Sequence, residues 1–200
     1  MELLNFDITD NGAATLTLNR PEVHNAFNDH LIQKMIDIFS NLDKKVRLVI
    51  LTGQGKSFSA GADLNWMKSM AGYSKEENFD DSKKLSKLFS LINNCEVPVI
   101  GKINGHALGG GVGLVAVCDY VIAVDSLKMG MTEVRLGLVP AVISPYVINK
   151  IGESNARATF LSGERFSASQ AMTMGLIHQI VSADKLDEAI EGTVKTTTDI

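Results

Sequence analysis

Residues 103–120 read INGHALGGGVGLVAVCDY, and the apolar run VPVIGKIN over residues 97–104 leads into them. That run predicts a buried strand. Gly109, Gly110 and Gly111 then predict a turn, and the small apolar residues of VGLVAVC predict a buried helix. Glycines let a ligand approach the main chain, and the first N–H groups of a helix have no partner inside it. Strand, glycine turn and helix start together predict an α/β fold with a binding site at the turn. A phosphate or a developing oxyanion would be held equally well, since both present negative charge to free amides.

Upstream, LLNFDIT and ATLTLN alternate apolar with polar residues around Asp10-Asn11-Gly12, which predicts a hairpin. A helix capped by Asn28 or Asp29 carries Leu31, Ile32, Met35, Ile36 and Phe39 at helical spacing. RLVILTG is a fully apolar strand of the kind covered on both faces. The loop QGKSFSAGADL follows, then a short helix with Trp66, Met67 and Met70, and a long one from Lys75 to Asn94. Its apolar stripe is Phe79, Leu85, Leu88, Phe89 and Ile92. Downstream, DYVIAVD is a strand, and LKMGMTEVRLGLVP a short strand and a loop. AVISPYVINKIG, Glu153–Leu161, Ser167–Met174 and Ala183–Gly192 are helices, and IHQIVS is a last strand. Repeated strand-strand-helix units in a single domain over residues 1–200 are the result.

Composition narrows the function. The 200 residues carry 19 basic and 23 acidic side chains, a formal charge of -4, and the basic residues are scattered. Nucleic acid selects for clustered Lys and Arg, so it is not an expected partner. No apolar run reaches membrane-spanning length, so no membrane partner is expected either. Cys95 and Cys118 lack metal-ligand spacing, and no signal peptide precedes them, which points to the cytoplasm. His24, His30, His106 and His178 form no HExxH pair, Ser57 and Ser59 lie outside any G-x-S-x-G, and the glycines match neither a Walker nor a dinucleotide motif. No metal and no nicotinamide are expected.

Three features are left to carry chemistry. The glycine stretch is one. Ser59-Ala60-Gly61-Ala62-Asp63 is another, a run of small residues after a buried strand, where Asp63 also suits the cap of the next helix. Glu133 is the third: flanked by Met129, Met131, Val134 and Leu136, it is a candidate for a desolvated acid able to trade protons near neutrality.

The ordered set of these features resembles the crotonase (enoyl-CoA hydratase/isomerase) superfamily. The resemblance covers the whole chain: Asn19-Arg20-Pro21, Asn25-Ala26, SFSAGADL, NGHALGGGVGL, CDYVIA, the Glu133 segment and GERFSASQAMTMGLIHQIV. SAGADLNWMK and LGLVPAVISPYV look most like bacterial hydratases of methylglutaconyl-CoA or related branched enoyl-CoA esters. The resemblance implies a crotonase-type spiral fold that binds an acyl-CoA, with the thioester oxygen between the amides of Ala62 and Gly110 and with Glu133 as the proton carrier. It places the substrate along Ala60, Gly61, Ala62, Asp63 and Leu64, beside Gly109 and Gly113, and the adenine end near Val23, His24 and Ala26. Trp66, Met67, Met70, Val142 and Ile143 would form the far acyl wall. CoA enters as part of the substrate, with no separate cofactor, and the assembly implied is a homotrimer or a dimer of trimers.

Two departures accompany the resemblance. Two-acid hydratases of this family carry a first glutamate where this chain has Gly113, and Glu133 stands twenty residues later, at the second position. One carboxylate leaves hydration of a 2-enoyl-CoA and isomerisation of a 3-enoyl-CoA both open, with hydration preferred. Family members also continue into further helices after the point where this sequence ends in KTTTDI, so a truncated, non-catalytic CoA-ester binder is a third alternative.

Overall fold

Asn11-Gly12 folds the first two strands back on each other: β1 (Leu4–Ile8) and β2 (Ala13–Leu18) pair antiparallel, with Gly12 at φ 84°. In the computed structural model, which describes residues 2–70 and 72–198, four further strands extend this hairpin into one sheet. They are β3 (Leu48–Gly53), β5 (Val99–Ile103), β7 (Tyr120–Val124) and β10 (Gln179–Val181), in the order β1-β2-β3-β5-β7-β10, with every pairing after the hairpin parallel. All six residues of β3 are buried, as its unbroken apolar run requires of an interior parallel strand.

A second, smaller sheet is made of β4 (Ser57–Ser59), β6 (His106–Leu108), β8 (Lys128–Gly130) and β9 (Phe166–Ser167), in that order. The helices are α1 (Asp29–Ser40), α2 (Leu64–Met70), α3 (Lys75–Asn93), α4 (Gly110–Ala116), α5 (Ser144–Ser162), α6 (Ala168–Thr173) and α7 (Leu186–Thr198). Each lap of the chain leaves one strand in each sheet and then a helix: β3 and β4 precede α2 and α3, β5 and β6 precede α4, and β7 and β8 precede α5. This is the strand-strand-helix spiral that the sequence predicts.

Local signals set the helix ends. The Asn28 side chain accepts from the Leu31 N–H at the start of α1, and Ser74 with Glu77 closes a capping box on α3. Gly152, at φ 76° and ψ 159°, breaks α5 where the sequence predicts two helices. Some expectations need correction. Phe79 is not part of the buried stripe of α3 but exposed, with the Lys83 ammonium 4.3 Å above its ring. Helix α7 passes Gly192 and continues to Thr198, and the end of KTTTDI, residues 199–200, lies outside the described residues. Strands β4, β6 and β9 have only two or three residues, too few for an alternation to be read.

Candidate functional site

The glycine stretch and the Ser59–Asp63 loop meet face to face. Gly109 has φ 52° and ψ -124°, open only to glycine, and turns the chain from β6 into α4. Gly111 packs directly on the Ser59 carbonyl, and Gly110 lies against the Phe27 ring, so a Cβ at either position would collide. Opposite, Gly61 at φ 81° brings its loop so close that a Cβ there would lie 3.0 Å from the Gly110 nitrogen.

The hydrogen bonds of this loop leave one donor over. The Ala60 N–H donates to the His24 carbonyl, the Gly61 N–H to Ser59 Oγ, and the Asp63 N–H to the Phe27 carbonyl. Among the described residues the Ala62 N–H has no acceptor, nor has the Gly110 N–H in the first turn of α4, whereas the Gly109 N–H is taken by the Gly130 carbonyl. Two unpaired amides, one from each segment, therefore remain beside each other.

Glu133 lines the same two cavities as Ala62 and Gly110. It opens a 3-10 turn, Glu133–Leu136, where the sequence predicts a loop. Its Oε1 lies 3.1 Å from the position of a Cβ at Gly109, and its Oε2 is buried without a partner. Burial pushes the carboxyl above the ordinary carboxylate range, opposed only in part by the residue's own backbone N–H. The desolvation comes from the fold rather than from the sequence neighbours alone: Met129 and Met131 are buried, but Val134 and Leu136 are exposed.

Two cavities meet here, of about 450 and 540 Å³. Ala62, Met67, Gly110 and Glu133 line both. The first runs past Trp66, Met70, Val142 and Ile143 and is mostly apolar. The second runs past Val23, His24, Ala26, Ala60, Asp63, Leu64, Lys68 and Gly109. Gly61 and Gly113 line neither. Gly61 acts by close packing, and a Cβ at Gly113 would run into Ile143 and the Phe89 ring.

A buried network holds the loop. Arg20 Nη2 bonds Asp63 Oδ2 at 2.9 Å, and Arg20 Nη1 donates to the Ala26 carbonyl. Burial would raise the Asp63 carboxyl, but the Asn65 N–H and the Arg20 guanidinium together hold it below its ordinary value. Asn25, fully buried at φ 55°, uses its amide to bond the Arg20 N–H and the carbonyls of Gln54 and Ser57. Arg20 and Phe27 are site residues that local patterns do not reveal; their role depends on contacts made across the fold.

Among the described residues no helix is long and apolar enough to cross a membrane, and no three His, Cys, Asp or Glu side chains converge as metal ligands. Comparison with known proteins gives the lineage. A Thermus thermophilus relative is 35% identical over 179 residues, 88% of this chain and 71% of that one. The enoyl-CoA hydratase ACTT6 of Alternaria alternata is 33% identical, and this chain covers 59% of its length. Among solved structures, an enoyl-CoA hydratase from Shewanella pealeana superposes with a TM-score of 0.94 at 36% identity, over 98% of this chain and 74% of that one. One from Mycobacterium smegmatis gives 0.94 at 30% identity, over 99% and 77%. The enoyl-CoA hydratase/isomerase family model matches residues 9–197, and with the spiral of paired strands around a glycine turn this shows that the chain belongs to the enoyl-CoA hydratase/isomerase family.

Proposed function

We propose that this chain adds water to a 2-enoyl-CoA. The observation that carries the reading is the position of Glu133, a half-buried carboxylate with an oxygen unpartnered among the described residues, lining both cavities together with two unpaired amides. The acyl group occupies the apolar cavity and the pantetheine arm the other, where His24 and Lys68 suit the phosphates of CoA. The thioester carbonyl then lies between the Ala62 and Gly110 N–H groups.

Glu133 takes a proton from water, and the hydroxide forms a bond to C3 as the C2=C3 π electrons move onto the thioester oxygen. The two amides stabilise that enolate more than the ground-state carbonyl, because the charge develops only as the reaction proceeds. Protonated Glu133 returns the proton to C2, the enolate collapses, and one water has been added with the carboxylate restored. Protons and electrons balance with the groups of this chain, the thioester and water, so neither a metal nor a redox carrier enters the step.

A second reading rests on Gly113. With Ile143 and Phe89 filling the space beside it, no second carboxylate stands at that position, and Glu133 alone could carry a proton from C4 to C2 of a 3-enoyl-CoA. Crotonyl-CoA incubated in water labelled with oxygen-18 separates the two. Hydration predicts a 3-hydroxyacyl-CoA that carries the label. Unlabelled, unchanged crotonyl-CoA, together with conversion of a 3-enoyl-CoA to its conjugated isomer, would replace hydration with isomerisation.

A further inference from the structure

The inward stripe of α3 changes character as it leaves the core. Ile92, Phe89 and Leu88 are buried, and Leu85, one turn earlier, reaches the apolar cavity. One turn further toward the N-terminus the same face carries Asp81, which also lines that cavity and leaves only 12% of its side chain exposed. A carboxylate in a cavity also lined by Met67, Met70, Leu85 and Val142 is an uncomfortable neighbour for a plain hydrocarbon chain. Its ion pair with Lys84 offsets this only in part: Nζ is 3.4 Å from Oδ1, and the lysine is half exposed and does not line the cavity. Trp66 lines the same cavity, but its Nε1 is closed off from solvent and has no acceptor among the described residues. An apolar cavity thus contains one charged acceptor, which the proton transfer at Glu133 does not use.

We propose that Asp81 selects the acyl group by its far end, admitting chains that end in a hydroxyl or another uncharged hydrogen-bond donor and rejecting chains that end in a carboxylate. This rests on reading the apolar cavity as the acyl site, and it runs against the methylglutaconyl-like expectation, since that acyl group ends in a carboxylate. A hydroxyl donates to the Asp81 carboxylate and gives it a second partner beside Lys84. A terminal carboxylate has no proton to offer Asp81 and meets it as a like charge.

Binding of saturated six-carbon thioesters tests selection without requiring turnover. Hexanoyl-CoA, 6-hydroxyhexanoyl-CoA, adipoyl-CoA and free CoA are titrated by calorimetry into the wild type, Asp81→Asn and Lys84→Gln. The wild type should bind the hydroxyacyl thioester about tenfold more tightly than the adipoyl one. Asp81→Asn should bring that ratio to about threefold or less through tighter adipoyl binding, and Lys84→Gln should widen it. An unchanged ratio in Asp81→Asn, or equal weakening of all three thioesters, would overturn the role of Asp81. A wild type that binds no thioester better than free CoA would overturn the acyl-site reading itself, an outcome distinct from hexanoyl-CoA binding without selection.

Discussion

Ile143 fills the space that a side chain at Gly113 would need: its Cβ is 2.9 Å from where a Cβ at residue 113 would stand, and Phe89 Cε1 is 3.0 Å away. The absence of a carboxylate at position 113 is thus coupled to a branched side chain from the start of α5. Gly113→Glu should destabilise the fold by about 3 kcal/mol, from overpacking and a buried charge. Gly113→Glu with Ile143→Ala should recover at least about 1 kcal/mol relative to the sum of the single changes. Urea unfolding of the four proteins reads this, and simple additivity would show that the two positions do not compete.

Arg20 positions Ala62 through Asp63. Arg20→Ala strands a buried carboxylate and should cost about 3 kcal/mol of stability. Asp63→Asn keeps a hydrogen-bonding partner for Arg20 and should cost less. Both should raise KM for an acyl-CoA, since the loop holding the Ala62 amide loosens. Wild-type KM in Arg20→Ala would separate the ion pair from the site.

Glu133 carries a stability cost with a definite pH dependence. Its native pKa lies above the ordinary 4.5, so the native state binds more protons than the unfolded state between the two values. The wild type therefore loses stability as pH rises from about 4.5 through the native pKa, and above it the full cost is present. Glu133→Gln should be more stable than the wild type near pH 7.5 and should lose that advantage near pH 4. Thermal melts at both pH values check it; equal stability at both would mean that the carboxylate is not desolvated.

His178 gives the opposite slope. Burial first, and the Lys150 charge second, lower its pKa, and its Nδ1 accepts from the Val121 N–H at 3.0 Å. Stability from the neutral ring is present above the ordinary value of 6.5 and is lost as pH falls through the lowered one. His178→Gln should flatten the fall in melting temperature below about pH 6.5. A slope equal to that of the wild type would refute this.

The fold was legible where periodicity and turn chemistry agreed. The Asn-Gly hairpin, the all-apolar β3 and the stripe of α1 each follow from local patterns. Of the small sheet only β8 was legible, as the short strand of LKMG; β4, β6 and β9 were not, because they are held by partners from distant laps of the chain rather than by their own alternation. At the site, the glycine turn and the Ala60–Asp63 loop stood out because main-chain chemistry requires small residues. Arg20, Phe27 and Asp81 did not, since each acts through a contact with a residue far away in sequence or through a cavity that exists only once the spiral closes.

The most direct test of the account is turnover of crotonyl-CoA by the wild type and by Glu133→Gln, followed at the conjugated-thioester absorbance, with the affinity of each for butyryl-CoA measured alongside. The account predicts loss of conjugation with the wild type, a rate lower by about a hundredfold or more in Glu133→Gln, and butyryl-CoA affinity within about threefold. Turnover by Glu133→Gln at the wild-type rate would contradict it.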